Sequence, residues 1–333
     1  MWQSVHSWTF NVFSLSQPEL VALASNLLHW AGVDAYLGVS PAALTDFCMS
    51  VAAEYHDVAF HNFRHGVCVM HVTYLVLHGL GMHTERVHID VPHRAALLLA
   101  ALCHDAQHDG RTNPFHVATQ SAVYKRFPVS SPLERLHAAT TAKLLAETRL
   151  LAKLPIAERA ELEGRIERLI LATDMSLHDR VMTAATTTPT SIDAVADLIL
   201  HCADISNPIM TTDVSRRWST CLMDEFAEQV ADERRRGLPL STYMMAAPNS
   251  REEAALHMGF IERYAGEGWR TLVAVLDTDA DLFATCLSNL AANETYWRLR
   301  IDRWTPTRAA ASSHPHPPPP TDPVVRVESL QAA

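Results

Sequence analysis

Apolar residues recur at three- and four-residue spacings along residues 1–305, the period of a helix with one buried face. The pattern predicts helices over 18–30, 41–55, 67–80, 92–103, 133–152, 157–173, 192–203, 214–236, 251–276 and 280–303. Pro18, Pro41 and Pro92 stand where a helix begins, and Asn113-Pro114 and Asn207-Pro208 stand where one has just ended. Alternating runs rich in Val, Ile and Thr are almost absent. The expected fold is therefore all-α and compact, a single multi-helix domain over 1–305 with no repeat and no linker.

The pattern stops after Trp304. His314-Pro315-His316 and the four prolines that follow cannot enter a helix and favour polyproline II. Residues 306–333 read as a Pro-rich disordered tail. Its two histidines could hold metal weakly, and a proline-docking partner is the alternative use of the segment.

Composition narrows the function classes. The chain has 333 residues, 48% of them hydrophobic, and only 11 glycines, which suits helices built around a large core. A formal net charge of -10 argues against nucleic acid as a partner, since that needs clustered Lys and Arg. It does not argue against small anionic substrates, because bound metal ions supply positive charge locally. Six cysteines, at 48, 68, 103, 202, 221 and 286, lie in apolar runs without CxxC spacing and read as buried thiols of a reducing compartment. There is no signal-peptide pattern and no transmembrane segment, so the expected location is cytoplasmic.

Four short segments carry candidate chemistry. Residues 104–113, His-Asp-Ala-Gln-His-Asp-Gly-Arg-Thr-Asn, follow an apolar helix. The adjacent His104 and Asp105 are a ready pair of metal ligands, with His108 one helical turn later. Phe60-His61-Asn62-Phe63-Arg64-His65 sets two imidazoles four positions apart, which on a helix would face the same way. In a chain with 19 histidines that pair alone reads first as structural. Ala172-Thr173-Asp174-Met175 ends a third helix, and His201-Cys202-Ala203-Asp204 ends a fourth. Asp204 meets the negative end of a helix dipole in apolar surroundings, so its charge calls for a compensating cation.

In this order the four segments resemble the catalytic domain of the class I 3′,5′-cyclic-nucleotide phosphodiesterases, with Phe60 where that family usually has Tyr. Trp218, Met223-Asp224-Glu225-Phe226, Glu233-Arg234 and Gly259-Phe260-Ile261 extend the match, which runs from about Trp8 to Trp304. The resemblance implies a metallohydrolase of the His-Asp phosphohydrolase type. It would open cAMP and/or cGMP to nucleoside 5′-monophosphates and so end a signal. His65, His104, Asp105 and Asp204 would hold Zn²⁺ in a tight site. Asp105 would also reach a second metal, Mg²⁺ or Mn²⁺, whose waters are held by His108, Glu134 and Thr173. A hydroxide shared by two metals about 3.5–4 Å apart would attack phosphorus. His61 would protonate the leaving oxygen as general acid. Any regulatory domain would lie outside this chain, and oligomeric state is not legible.

The resemblance also implies a purine clamp of Leu222 and Phe260, residues that alone read as helix core, with Asn207 touching the base. It departs at His257. The family usually places Gln there, and a neutral imidazole offers one donor and one acceptor on opposite edges rather than a two-point amide contact. Weak discrimination between adenine and guanine is expected. A ring titrating near 6.5 would shift that preference toward guanine as pH falls. Two rival readings remain at this stage: a cyclic-nucleotide-binding pseudo-enzyme, and a His-Asp phosphohydrolase acting on another nucleotide.

Overall fold

The computed structural model describes residues 4–80, 89–277 and 281–303. Among them the regular structure is helical, with no strand. The Pro-rich tail at 306–333, with His314 and His316, lies outside the described residues.

Fifteen α-helical segments follow in order: α1 (Gln17–Trp30), α2 (Val33–Leu37), α3 (Pro41–Glu54), α4 (Phe63–Gly79), α5 (Val91–Cys103), α6 (Asn113–Thr119), α7 (Ala122–Arg126) and α8 (Pro132–Glu147), then α9 (Ile156–Leu171), α10 (His178–Thr187), α11 (Ile192–Asp204), α12 (Thr212–Arg236), α13 (Arg251–Phe260), α14 (Gly266–Leu276) and α15 (Asp281–Arg303). The centre is α4, α5 and α11. Ala95 to Cys103 and nearly all of Phe63 to Leu77 are buried, as in helices apolar on every side. Most of the other helices bury one face and wrap this centre, while α7 buries no residue. Trp8, ahead of α1, donates its indole N–H to the Leu282 carbonyl at 2.6 Å and meets Trp269 edge-on, so the N-terminal segment closes onto the C-terminal helices.

Four local expectations need correction. The helix expected from Val67 begins at Phe63, because Asn62 caps it: its side-chain oxygen accepts from the backbone N–H of Arg64 and His65. His61 therefore stands outside the helix that carries His65. The chain likewise leaves α5 at Cys103, and Gln107 takes φ of 70°, so His108 follows a tight turn and not a helical one. The helix expected to reach Ala152 ends at Glu147, with Arg149 in the left-handed region. The segment 251–276 is broken by a π-helical turn, Ile261–Ala265. Gly266 permits that turn, since a Cβ there would meet the Ile261 carbonyl oxygen at 2.7 Å. The helices α2, α6, α7 and α10 were not expected from periodicity. The first three are five to seven residues long, too short to show two turns of it.

A candidate metal centre with an adjacent proton donor

Three helix ends meet at one point. His65 occupies the first turn of α4, His104 and Asp105 follow α5, and Asp204 closes α11. One donor atom from each of the four lies within 4.8 Å of the others. His65 Nε2 is 3.1 Å from Asp204 Oδ1 and 3.3 Å from Asp105 Oδ2, and His104 Nε2 is 3.1 Å from each of the same oxygens. Burial alone would push both carboxyls up, but the imidazoles win. Asp105 is held well below the ordinary carboxylate range, as is Asp204, and His104 is raised well above its usual value. Two imidazole nitrogens and two carboxylate oxygens aimed at a shared point form a donor set that fits a divalent cation. With four protein ligands and two of them anionic, the set also leaves a cation room for water.

The neighbouring side chains differ in what they can do. His104 Nδ1 donates to the Ala101 carbonyl at 2.9 Å, which fixes its ring and frees Nε2 to face the cluster. Gly110 N–H donates to His108 Nδ1 at 3.0 Å and so assigns the ring proton to Nε2. Burial pushes His108 down to about 3, so it is neutral. Thr173 Oγ1 donates to the Ile170 carbonyl, leaving its oxygen as an acceptor. Glu134 accepts from Asn113 Nδ2 at 3.0 Å, and burial with Asp174 nearby raises it to about 7. Oxygen acceptors at Thr173 and Glu134 suit the protons of metal-bound waters. His137 was not singled out by sequence; its Nε2 lies 3.6 Å from Asp105 Oδ1.

His61 sits beside this cluster without joining it. Its ring lies edge-on to His65 at 5.6 Å and stacks on His108 at 4.0 Å. Nδ1 donates to Glu225 Oε1, while Glu225 Oε2 accepts from the backbone N–H of Phe60 at 2.9 Å and of His61 at 3.0 Å. One buried carboxylate thus fixes both the backbone and the ring. Burial would lower His61, but Glu225, with Asp105 and Asp204 behind it, raises the imidazole to about 9. Glu225 is in turn held down at about 2, against its own burial. The carboxylate reaches this position across Gly110, where a Cβ would meet its Cγ at 3.2 Å. The arrangement is an imidazole anchored through Nδ1 to a buried carboxylate, its pKa raised beside the metal-ligand cluster.

Glu225 lies in the Met223–Phe226 run, whose match to the family implied no role for it. A signal was present. Trp218, Leu222, Glu225, Gln229 and Glu233 follow one another at helical spacing, so three polar residues occupy an inward face of α12. All three are buried.

The candidate base-site residues are spread over three elements. Asn207 opens a 3₁₀ turn after α11, and Leu222 lies on α12; both are half-buried. His257 and the half-buried Phe260 lie one turn apart on α13, directly ahead of the π-helical turn. His257 is buried and stacks on Trp297 of α15 at 4.5 Å. Its Nε2 is buried without a hydrogen-bond partner, and burial pushes the ring down to about 4. This corrects the expectation that His257 titrates near 6.5.

The model of the 3′5′-cyclic nucleotide phosphodiesterase family matches residues 60–286. The chain is 27% identical over 300 residues to a cGMP-specific 3′,5′-cGMP phosphodiesterase of Dictyostelium discoideum, covering 86% of this chain and 62% of that protein. It is 32% identical over 253 residues to a dual-specificity calcium/calmodulin-dependent 3′,5′-cyclic nucleotide phosphodiesterase of Drosophila melanogaster, covering 72% of this chain and 30% of that one. The chain thus spans less than two thirds of either relative's length. Among solved structures, the phosphodiesterase domain of the RhoPDE fusion protein from the choanoflagellate Salpingoeca rosetta superposes with a TM-score of 0.83 at 26% identity, covering 91% of this chain and 97% of that one. No helix among the described residues is long and apolar enough to cross a membrane.

Proposed function

The chain belongs to the 3′5′-cyclic nucleotide phosphodiesterase family, and from that membership we propose that residues 1–305 form a catalytic domain that hydrolyses 3′,5′-cyclic nucleotides to nucleoside 5′-monophosphates. The observation that carries this reading is the convergence of His65, His104, Asp105 and Asp204 beside the anchored His61. Those four residues would hold a tight divalent ion, Zn²⁺ by its donor set. Asp105, with His108, Glu134 and Thr173 around it, would hold a second and its waters, Mg²⁺ or Mn²⁺. Bound there, divalent ions neutralise phosphate charge and lower the pKa of a water enough to make a nucleophile at neutral pH.

The chain's own part in the reaction is the proton. Opening the ring at phosphorus expels the ribose 3′ oxygen, a poor leaving group as an alkoxide. His61 Nε2–H donates to that oxygen as the bond breaks, and Glu225 stabilises the imidazolium beforehand through Nδ1. A general acid of this kind contributes roughly 10²–10⁴ in rate. Phe260 and Leu222 would pack on the two faces of the purine, with Asn207 and His257 at its edge. His257 supplies one polar contact from a neutral ring, so it meets either purine by choice of tautomer and discriminates weakly. The relatives named for cGMP and for dual specificity leave both nucleotides as substrates to test. Segments beyond this chain, which the longer relatives possess, are where regulation would reside.

The test is turnover of cAMP, cGMP and a linear phosphodiester by protein loaded with Zn²⁺ and Mg²⁺, against the same protein stripped by chelation. Metal-dependent hydrolysis of a cyclic nucleotide supports the reading. Tight cyclic-nucleotide binding without turnover in the loaded protein would replace it with the pseudo-enzyme reading.

A further inference from the structure

The two imidazoles of the metal cluster are not held in the same way. His104 is oriented by a hydrogen bond from Nδ1 to a backbone carbonyl. His65 has no such bond: its Nδ1 is buried with no hydrogen-bond partner. A metal-ligating His almost always donates its second nitrogen to an acceptor that fixes the ring. In place of that acceptor, His65 has a wall of rings. Phe60 lies 4.9 Å away at 36°, and Trp218 meets it edge-on at 5.8 Å and 79°.

Trp218 is an unusual choice for such a wall. It is fully buried on α12, and its Nε1–H meets only the Cys68 thiol, a weak acceptor, outside good hydrogen-bond geometry. A buried indole N–H with so weak a partner costs free energy that Phe or Leu would avoid. What the indole provides instead is breadth. The one ring spans Phe60 at 5.4 Å, His65, and on another side Phe13 at 4.6 Å. Phe13 belongs to the segment ahead of α1, and it is fastened where it stands. Arg64 donates to the carbonyls of Val12 and of Leu15, the latter at 2.8 Å. Arg64 and Arg217 also lie over the Phe13 ring, at 5.8 and 4.2 Å from its centroid. Arg64 comes from the same turn of α4 as His65, so strap and ligand share one helix start.

We propose that Trp218 is the positioning residue that orients the metal ligand His65, with Phe13 of the N-terminal strap as its backing. The inference rests on the reading of His65 as a ligand. Trp218 touches neither substrate nor metal. It sets the direction of His65 Nε2 by excluding other ring angles, the work that a carbonyl does for His104. The N-terminal strap thereby becomes part of the metal site, although its residues lie in no candidate motif.

The experiment measures Zn²⁺ affinity of the full chain by chelator competition, together with thermal unfolding and with kcat and KM at saturating metal. Trp218→Leu is expected to bind Zn²⁺ roughly 10–100-fold more weakly, the usual range for loss of a ligand-orienting partner. Excess Zn²⁺ should restore kcat, and KM should not move. Trp218→Phe, which keeps an aromatic edge beside His65, should recover most of the affinity. Leu23→Ala, a cavity at a fully buried residue of α1, controls for lost stability and should bind Zn²⁺ as the parent does. Parental affinity in folded Trp218→Leu overturns the proposal, and so does an equal loss in Leu23→Ala. Should Trp218→Leu not fold, Phe13→Ala decides: a severalfold weaker site is expected, and an unchanged one overturns the proposal. A parent that binds metal but hydrolyses no cyclic nucleotide sinks the proposed activity and leaves this inference standing. A parent that takes up no metal overturns both.

Discussion

At the scale of single residues, the site depends on pairs whose charges are set by burial and by one another. His61 and Glu225 are the clearest. Replacing His61 by Ala should leave folding and metal content intact and lower kcat by roughly 10²–10⁴. The deficit should shrink on a substrate analogue whose leaving group needs no proton, and an equal deficit there would mark His61 as structural. Glu225 gives this an independent check through pH. The imidazole is raised to about 9 largely by that carboxylate acting against burial, so it is protonated below that value and activity should fall as pH rises through it. Glu225→Gln removes the charge, and the falling limb of the kcat/KM profile should move to lower pH. A limb that stays in place would mean another group supplies the proton. His257 behaves in the opposite sense. Burial pushes it to about 4, so it is neutral across pH 5.5–8. The ratio of kcat/KM for cAMP and cGMP should then be flat over that range and should change in His257→Gln, which restores a two-point amide. A ratio that swings near pH 6.5 would show that the ring is more solvated than its stacking on Trp297 implies.

At the scale of elements, the interruptions place the chemistry, and these were the hardest features to read from sequence. Periodicity located nine of the longer helices, and the segment that holds α13 and α14, to within about five residues, because buried faces repeat over several turns. It could not show that Asn62 ends the loop and begins α4, because one side chain does this through the backbone N–H of Arg64 and His65. His61 and His65 are near each other for that reason, and their four-residue spacing, which suggested a shared helical face, is incidental. Asn62→Ala should therefore cost about 1 kcal/mol of stability as a lost N-cap. It should also lower kcat, because the Asn62 Nδ2 bonds to the Val58 and Ala59 carbonyls hold the loop that presents His61. Thermal unfolding and kinetics on one preparation check both, and a stability loss with normal kcat would separate the cap from the loop. The π-helical turn after Phe260 was equally hidden. It depends on Gly266 having no Cβ, a steric condition with no hydrophobic period.

At the scale of the whole molecule, the metal cluster is the junction of the three central helices. His65 is at the start of α4, His104 and Asp105 follow α5, and Asp204 ends α11, so ligands far apart in sequence are drawn to one point. Their types and order were legible in the chain, and the family resemblance implied one shared site; periodicity could not give their convergence, because it depends on how α4, α5 and α11 pack. Without metal, the cluster resolves its two buried carboxylates by holding a proton on His104, raised well above its ordinary value by Asp105 and Asp204. A cation must displace that proton. Metal binding at pH 7 should therefore release protons, visible as a dependence of the apparent binding enthalpy on the ionisation enthalpy of the buffer, and affinity should weaken as pH falls. Binding should also tie the three helices together. Ligand at a hundred times its dissociation constant stabilises the folded state by about 2.7 kcal/mol, so chelation should lower Tm by several degrees, and Zn²⁺ should restore it. Asp204→Ala removes one of two anionic ligands and with it part of what holds a proton on His104. That variant should unfold at a temperature indifferent to chelator, with little proton release on adding Zn²⁺. A parent whose Tm ignores chelation, or an Asp204→Ala variant that still gains stability from Zn²⁺, would show that the four side chains do not act as one site.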